Sequence, residues 1–430
     1  MPDPTSSLGS LSRPTPGRAT DRVVRSASLA VVAVFMLNGF NFASWASRIP
    51  ALRDALSLSA AQVGLLLLVG AAGSILALPF VGLVVGKLGT RHTVAVFAAA
   101  NTAGLIVAAA GVATGQLLVV GAGLVLFGAG TGIWDAAMNI EGAAVEQGLG
   151  KAIMPRFHAG FSLGAMAGAG VGAVAASLNL SVLAHLTIAL SLSLLGVLWA
   201  IRAFLPEGAE IAPAAEVSLP AIGPAPVLSR SRTVFGAWLE PRTIFIGLVV
   251  LAAALTEGSA NDWVGLAVVD GFDQTHAVGA LVFGLFVTSM SAMRLLGTGL
   301  LDHYGRITML RLCAGLSIVG LLTFCLVPNL PLALVGVVLW GIGAALGFPV
   351  GMSAASDDPV RAAARVSVVS TIGYTAFLAG PPLLGLLAAQ VGYRHSLLAI
   401  LVPVVVGLLV LPAAAPLPTA AGGRGRAHPA

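Results

Sequence analysis

The chain has 430 residues, of which 57% are hydrophobic and only 9% are Asp, Glu, Lys or Arg. Soluble domains carry about 25% charged residues, so this composition excludes a water-soluble globular protein and indicates an integral membrane protein in a lipid bilayer. The formal net charge of +5 does not indicate a nucleic-acid partner, because the basic residues are scattered through short connections and form no single patch.

The first half of the chain begins with a polar segment and continues with apolar runs. Residues 1–24 are rich in Ser, Pro, Thr and Arg, which predicts a disordered cytoplasmic tail. Each of the six runs that follow is long enough to cross a bilayer as a helix of roughly 20 residues. We predict these spans at 26–46, 60–86, 92–113, 116–139, 156–177 and 181–203. Glu141 and Glu146 then fall near an aqueous loop, on a solvated face.

The second half repeats this organisation after a proline-rich connection. Residues 204–241 carry charges of both signs and predict a cytoplasmic linker. Six further spans are predicted at 242–265, 277–300, 307–327, 330–353, 364–389 and 395–413, followed by a second disordered cytoplasmic tail at 414–430. The expected domains are therefore a first bundle at 25–203 and a second bundle at 242–413.

Two short polar hairpins occupy equivalent places in the two halves. Aligning Gly89 with Gly305 gives an offset of 305 − 89 = 216 residues, about half the chain, and the same offset brings apolar run onto apolar run. An internal repeat in a membrane protein is typical of transporters, so we expect these hairpins to act in conformational change. The hairpin residues singled out are Gly82, Lys87, Gly89, Arg91, Asp302, Gly305 and Arg306.

The hairpins resemble the loop signature of the major facilitator superfamily, glycine-x-leucine-x-aspartate-arginine-x-glycine-arginine-arginine. Asp302, Gly305 and Arg306 match it, whereas the first copy has Gly86 in place of the aspartate and Thr90 in place of the first of the final basic pair. The resemblance implies an all-α membrane protein with twelve transmembrane helices in two six-helix bundles. It also implies alternating access to a site between the bundles.

Strings within the spans resemble the YbjJ-like branch of inner-membrane transporters. They lie at 38–50, 135–139, 157–164 and 257–263. Two features of drug–proton antiporters of the superfamily are absent: Leu124 stands where those proteins carry an arginine, and the fifth span has no glycine-proline pair. Both departures argue against proton-driven drug efflux.

The basic residues predict the orientation of the chain. With both termini in the cytoplasm of a cell with an inner membrane, 18 of the 22 Lys and Arg residues lie on the cytoplasmic side. This is the bias that the positive-inside rule requires.

A carboxylate in the seventh span is the first candidate for function. Glu257 lies about 14 residues into that span, and an ionisable residue there costs at least ~2.5–3.5 kcal/mol on insertion scales. Asn261 shares its helical face, and the repeat places Asn38 opposite with Asn41 nearby. We expect these four residues to contact substrate and to couple transport to protons. The alternative is that Glu257 only bonds a neighbouring helix.

A second polar group lies toward the cytoplasmic side. It comprises Asp135 and Asn139 in the fourth span, His158 in the fifth and Arg294 in the eighth. Because these residues lie in the inner third of the predicted spans, structural or gating roles are favoured over substrate contact.

We expect Asp135 and Arg294 to form an inner gate. Counting helical rise places them at similar depth in opposite halves and places Glu257 about 16 Å above Arg294, too far for direct contact. We therefore predict that Asp135 and Arg294 pair across the bundle interface when the cytoplasmic side is closed. The alternative is that Arg294 bonds backbone carbonyls or Asp302 within its own half.

The sequence shows none of the motifs of an enzyme. It has no phosphate loop, no histidine pair at metal spacing and no serine elbow, so we expect no metal and no cofactor. The expected function is symport of a small polar, sugar-like solute with protons, by a monomer. The alternatives are an exporter of drugs or amphiphilic metabolites and a non-transporting membrane sensor.

Overall fold

The computed structural model describes residues 21–149, 153–206, 236–358 and 361–416. Residues 1–20 and 417–430 of the predicted tails and most of the predicted linker lie outside these residues, whereas residues 21–24, predicted as disordered tail, belong to the first helix. The α-helices of the first half are α1 (Asp21–Ala46), α2 (Ile49–Ala55), α3 (Ala60–Ala77), α4 (Val81–Ala113), α5 (Leu117–Leu149), α6 (Met154–Ser177) and α7 (Val182–Ala200). Those of the second half are α8 (Pro241–Gly271), α9 (His276–Tyr304), α10 (Arg306–Leu326), α11 (Leu330–Ala344), α12 (Gly347–Ala355), α13 (Ala362–Ser396) and α14 (Leu401–Val410).

Ten helical stretches in the described ranges are long and apolar enough to cross a membrane. Two of them, at 60–113 and 364–414, contain 54 and 51 residues, enough for two crossings each. A glycine with positive φ interrupts each, Gly89 at 73° and Gly392 at 80°. Counting these stretches twice gives 10 + 2 = 12 crossings. The prediction of an all-helical membrane fold is confirmed.

The two hairpin glycines of the repeat have the same backbone conformation. Gly89 has φ 73° and ψ 166°, and Gly305 has φ 79° and ψ 158°. This region of backbone space is open to glycine and strained for L side chains. Each hairpin therefore reverses the chain at a residue whose lack of a Cβ permits the turn, and the two turns are 216 residues apart, as the sequence offset predicts.

Several helices are longer than their predicted spans. α8 contains 31 residues and α5 contains 33, so α8 is about 46 Å long, which exceeds a hydrocarbon core of about 30 Å. The extension of α5 includes Glu141, which is only 3% exposed. The prediction of a solvated loop at Glu141 is wrong. Its carboxylate accepts hydrogen bonds from the Thr90 hydroxyl (2.5 Å) and from the Leu205 backbone N–H (2.7 Å), which compensate for its burial.

The helices pack as two groups that meet along two seams. In the first half α4 packs on α5 and α1 on α6, and in the second half α8 packs on α13 and α10 on α11. Between the halves, α3 packs on α13 and α6 on α9. We call the side that holds the start of α1 and the end of α14 the terminal side, and the opposite side the distal side.

On the distal side the halves approach each other backbone to backbone. A Cβ placed on Gly64, near the distal end of α3, would lie 2.5 Å from the carbonyl oxygen of Pro381 in α13. A Cβ on Gly385 would lie 2.7 Å from the carbonyl oxygen of Ala60. Small residues permit this close helix approach inside a membrane.

Candidate functional site

A cavity of about 570 Å³ lies between the two halves. Its size suits a small organic molecule. Helices α1, α3 and α5 supply one wall, and α8 and α13 supply the other. The side chains that give it chemical character are aromatic rings, hydroxyl groups and one carboxylate: Phe42, Trp45, Ser74, Phe127, Thr131, Asp262, Thr371, Tyr374, Thr375 and Phe377.

Helical spacing explains the second-half wall. Thr371, Tyr374, Thr375 and Leu378 follow the pattern i, i+3, i+4, i+7 along α13, which places them on one face. Phe377 lies beside Tyr374, with ring centroids 6.5 Å apart. This face of α13 therefore presents both rings and hydroxyl groups to the cavity.

Aromatic packing also builds the first-half wall. The rings of Trp45 and Phe127 have centroids 6.2 Å apart, and Phe42 lies 6.3 Å from Phe161. Trp45 is 5% exposed, so most of its ring is packed in the core while part of it lines the cavity. Trp45 therefore forms part of the cavity wall.

Asp262 is the charged side chain among the residues that line this cavity. Its carboxylate forms no hydrogen bond and no ion pair with any residue that the structure describes. Our sequence analysis singled out Glu257 and gave Asp262, five residues further on, no role. Asp262 could have been found from the sequence, because an ionisable residue inside a membrane span is costly and therefore a candidate for function, as it was for Glu257.

Glu257 and Arg294 form an ion pair within the second half. Arg294 Nη2 donates to Glu257 Oε2 at 2.7 Å, and Arg294 Nε donates to the carbonyl oxygen of Ala345 at 3.1 Å. The prediction that these two side chains are too far apart is wrong. The contact agrees instead with the two alternatives in which Glu257 bonds a neighbouring helix and Arg294 bonds a backbone carbonyl.

The error came from measuring depth at opposite ends of the helices. α8 ends at Gly271, six residues beyond the predicted end of its span, and α9 begins at His276. Counted from this shared hairpin, Glu257 and Arg294 differ by four residues, or about 6 Å of rise. An arginine side chain spans that distance.

Asp135 does not contact Arg294 in this structure. The described residues form no hydrogen bond or ion pair between them, and the lone arginine that motivated the predicted gate has a partner in Glu257. Asp135 is exposed, and its carboxylate lies within electrostatic range of the Tyr374 hydroxyl group of the second half. The amide of Asn139 donates to the backbone oxygen of Asp135 at 2.8 Å. A pair in another conformation stays a prediction.

His158 faces the second half on the terminal side of the cavity. Its ring meets Phe35 edge to face at 5.2 Å, and it lies within electrostatic range of Arg294. Both His158 and Asp135 are exposed although they face the opposite half. The interface between the halves is therefore open at this depth.

The asparagines of α1 lie inside the first half. Asn38 is 3% exposed and donates to Met138 Sδ at 3.7 Å, and Asn41 is 1% exposed and donates to Asn101 Oδ1 at 3.1 Å. The structure does not bring them to Glu257, so substrate contact by these two residues is not supported. Asn101 in turn donates to Thr131 at 2.8 Å, and this chain of bonds reaches the cavity wall. Asn261 is half-buried, one turn from Glu257.

Ion pairs join the halves on the distal side. Arg53 Nη1 of the first half lies 2.5 Å from Asp270 Oδ2 of the second, and the Arg53 guanidinium lies 5.3 Å from the centre of the Tyr393 ring. Asp54 Oδ2 lies 2.7 Å from His276 Nε2. Arg53 and Asp270 are 217 residues apart, and no local sequence pattern connects them.

The hairpins lie on the terminal side. Lys87, Arg91 and Asp302 are exposed, and no atom lies within 4 Å of a Cβ placed on Gly82. The Asp302 carboxylate forms no hydrogen bond with the described residues. Arg306 does have a partner, because its guanidinium binds Asp357, as does that of Arg242.

Comparison with known proteins finds membrane transporters at the level of family, sequence and fold. The model of the family described as Major Facilitator Superfamily matches residues 30–374 and 263–429. An uncharacterized transporter of Sinorhizobium fredii is 30% identical over 87% of this chain and 97% of its own length. Two solved structures share the fold. A point mutant of the nucleoside transporter NupG has a TM-score of 0.70 at 16% identity, covering 90% of this chain and 98% of its own. A D-xylose–proton symporter has a TM-score of 0.66 at 13% identity, covering 91% and 97%.

Proposed function

Because the chain belongs to the major facilitator superfamily, and so is a multi-pass secondary transporter and not an enzyme, we propose that it moves a small polar, sugar-like solute by proton-coupled alternating access. The terminal side is cytoplasmic in this proposal, and the protein works as a monomer in the inner membrane, within the YbjJ-like branch. The xylose–proton symporter, whose fold this chain shares, supports a solute and coupling of this class.

The ion pair between Glu257 and Arg294 carries the proposal. The two side chains are 20% and 31% exposed, so water and protons reach them, yet each compensates for the cost of the other's partial burial. A proton on Glu257 Oε2 removes the negative charge that holds Arg294 Nη2. Arg294 then still donates a hydrogen bond to the carbonyl oxygen of Ala345, but its positive charge, which faces His158 of the first half, is no longer neutralised.

This charge change couples protonation to movement of the halves. A bound proton shifts a conformational equilibrium only as far as it binds the two conformations with different affinity. The pair is intact here, where Arg53 and Asp54 close the distal side and the interface at His158 is open. In the proposal, release of Arg294 favours approach of the halves on the terminal side, where its charge finds Asp135.

The experiment is proton flux in proteoliposomes. The purified protein is reconstituted with a pH-sensitive dye inside the vesicles, and sugars, polyols and amino sugars are added outside. We expect a solute that drives proton entry in the wild type. Glu257→Gln should abolish that flux and keep solute counterflow, while Asp273→Asn, which changes a carboxylate in the turn between α8 and α9, should behave as wild type. Undiminished proton flux in Glu257→Gln contradicts the proposal.

Export of an amphiphilic compound is the second candidate. The observation in its favour is the aromatic wall formed by Trp45, Phe127, Tyr374 and Phe377. The same vesicles test it, because an exporter of this class would respond to lipophilic compounds and not to sugars or polyols. A membrane sensor would give no solute-driven flux with any compound.

A further inference from the structure

The cavity between the halves is built for a positively charged solute. We propose that it binds an organic cation rich in hydrogen-bond donors, such as a protonated amine carrying hydroxyl groups, and that Asp262 is the anchor for the positive group. This inference rests on the proposed transport function and narrows its substrate class.

Asp262 differs from the other partly buried carboxylates that the structure describes. Carboxylates in a protein interior are paired with cations or donors as a rule, and Asp262, which lines the cavity, has neither. The paired ones are Glu257 with Arg294, Asp357 with Arg306 and Glu240 with Arg365. The positive partner of Asp262 therefore comes from the solute.

Three threonine hydroxyl groups on the cavity wall can accept hydrogen bonds from a solute. Thr131 donates its proton to the backbone oxygen of Phe127, Thr371 to that of Ser367 and Thr375 to that of Ile372. A hydroxyl oxygen whose proton is donated to the helix still has two lone pairs, of which Thr131 uses one to accept from Asn101. All three groups can therefore accept a hydrogen bond from an ammonium or hydroxyl donor of a solute.

Aromatic rings complete the selection for a cation. Trp45 and Phe127 lie on one wall and Tyr374 and Phe377 on the other. A cation within about 6 Å of a ring centroid is attracted by the electron-rich ring face, more strongly as the cation is desolvated. A ring face is electron-rich, so it repels an anion at the same place.

The other charges around the cavity act in the same direction. Asp135 lies within electrostatic range of Tyr374 on the cavity wall, so its charge adds to that of Asp262. The Glu257–Arg294 pair is neutral as a unit. The charged side chain on the cavity wall is thus an acidic one, and negative charge raises the local concentration of cations.

Thiol labelling tests this selection without a known substrate. Cys313 and Cys325 are buried and are replaced by alanine, and Thr375→Cys places a reporter on the cavity wall. The protein in detergent is treated with a trimethylammonium-bearing thiosulfonate or with a sulfonate-bearing one of similar size. Each rate is divided by that reagent's rate with a free thiol. We expect Asp262→Asn to lower the cation-to-anion ratio at least tenfold.

Two further variants separate charge from folding. Asp262→Glu should keep the high ratio, and Asp273→Asn, which removes an exposed carboxylate in the turn between α8 and α9, should change it less than twofold. An unchanged ratio in Asp262→Asn overturns the inference. Because labelling needs no proton gradient, a Glu257→Gln protein that still couples protons would contradict the proposed coupling and leave the Asp262 result intact.

A matched pair of small molecules tests the ligand class. Tris is a hydroxylated ammonium ion below its pKa, and pentaerythritol replaces the amine by a fourth hydroxymethyl group. We expect Tris to slow labelling of the Thr375→Cys reporter by a neutral thiosulfonate more than pentaerythritol does, and Asp262→Asn to remove the difference. Tris protecting no better than pentaerythritol overturns the proposed class.

Discussion

The Arg306 guanidinium donates two hydrogen bonds to the Asp357 carboxylate, from Nη1 to Oδ2 at 2.8 Å and from Nη2 to Oδ1 at 3.1 Å. Subtracting the repeat offset of 216 from both numbers gives Thr90 and Glu141, which are joined by a hydrogen bond of 2.5 Å. In both halves, the residue that follows the hairpin glycine is therefore bonded to a carboxylate at the equivalent position of the repeat. In the second half both partners are charged, whereas in the first half only the Glu141 carboxylate is.

The first prediction compares these two contacts. Arg306→Ala leaves Asp357, whose side chain is 14% exposed, with Arg242 as its cation, and should cost about 2–3 kcal/mol because hydrogen bonds between charged groups contribute that much. Thr90→Ala should cost about 1 kcal/mol, since Glu141 keeps the Leu205 N–H. Thermal unfolding in detergent measures both. Equal losses would show that the added charge contributes nothing.

A second prediction concerns the Glu257–Arg294 pair. Arg294→Gln leaves a half-buried carboxylate without its cation, and Glu257→Gln leaves the guanidinium without its anion, so each should cost about 2 kcal/mol. The double variant should lose less than the sum by about 1 kcal/mol or more, because the side chains share one contact. The double-mutant cycle is measured by thermal unfolding. Additive losses would mean that the pair is not coupled.

The third prediction concerns closure on the distal side. Arg53→Ala removes the contacts with Asp270 and Tyr393 that join the halves, and should raise the labelling rate of an Ala46→Cys reporter from the distal side about threefold to tenfold, as the open state gains roughly 1 kcal/mol. Arg394→Ala is the control. Arg394 lies on the same side but binds Phe324 and Phe272 of its own half, so its loss should leave the rate unchanged.

The fourth prediction follows from Glu240, which precedes α8. A hydrogen bond from Arg365 lowers the pKa of Glu240 from 4.5 to about 2. Because the folded pKa is the lower one, this carboxylate adds stability above pH 4.5 and loses it as the pH falls toward 2. The difference in Tm between wild type and Glu240→Gln should be constant from pH 7 to about 5.5 and shrink from pH 5 to 3. A constant difference down to pH 3 would contradict this assignment.

The organisation of the chain could be predicted from sequence because it depends on long patterns. Apolar runs of bilayer length and an offset of 216 residues give twelve crossings in two similar halves. The hairpin glycines Gly89 and Gly305 then need positive φ, which follows from the turn. Such features survive an error of several residues at a helix end.

The site was harder to predict because it depends on which face a residue occupies and where a helix ends. The predicted end of the span in α8 lies six residues before the observed end, and this error made Glu257 and Arg294 seem too far apart for contact. Asn38 and Asn41 were assigned to the interface by the repeat, although their amides point into the first half. The contact of Arg53 with Asp270 is purely tertiary. Asp262 was within reach, because its charge inside a span was visible in the sequence.

The close approach of Gly64 to Pro381 has a consequence for the conformational equilibrium of the transporter. The three atoms nearest to a methyl group at that position all belong to Pro381 and Pro382 of the opposite half. We therefore expect such a methyl group to disfavour the conformation in which the halves are in contact on the distal side. A Gly64→Ala protein would be a wedge of one carbon atom, biasing the transporter toward its opposite form without touching a charge, a cavity wall or a solute.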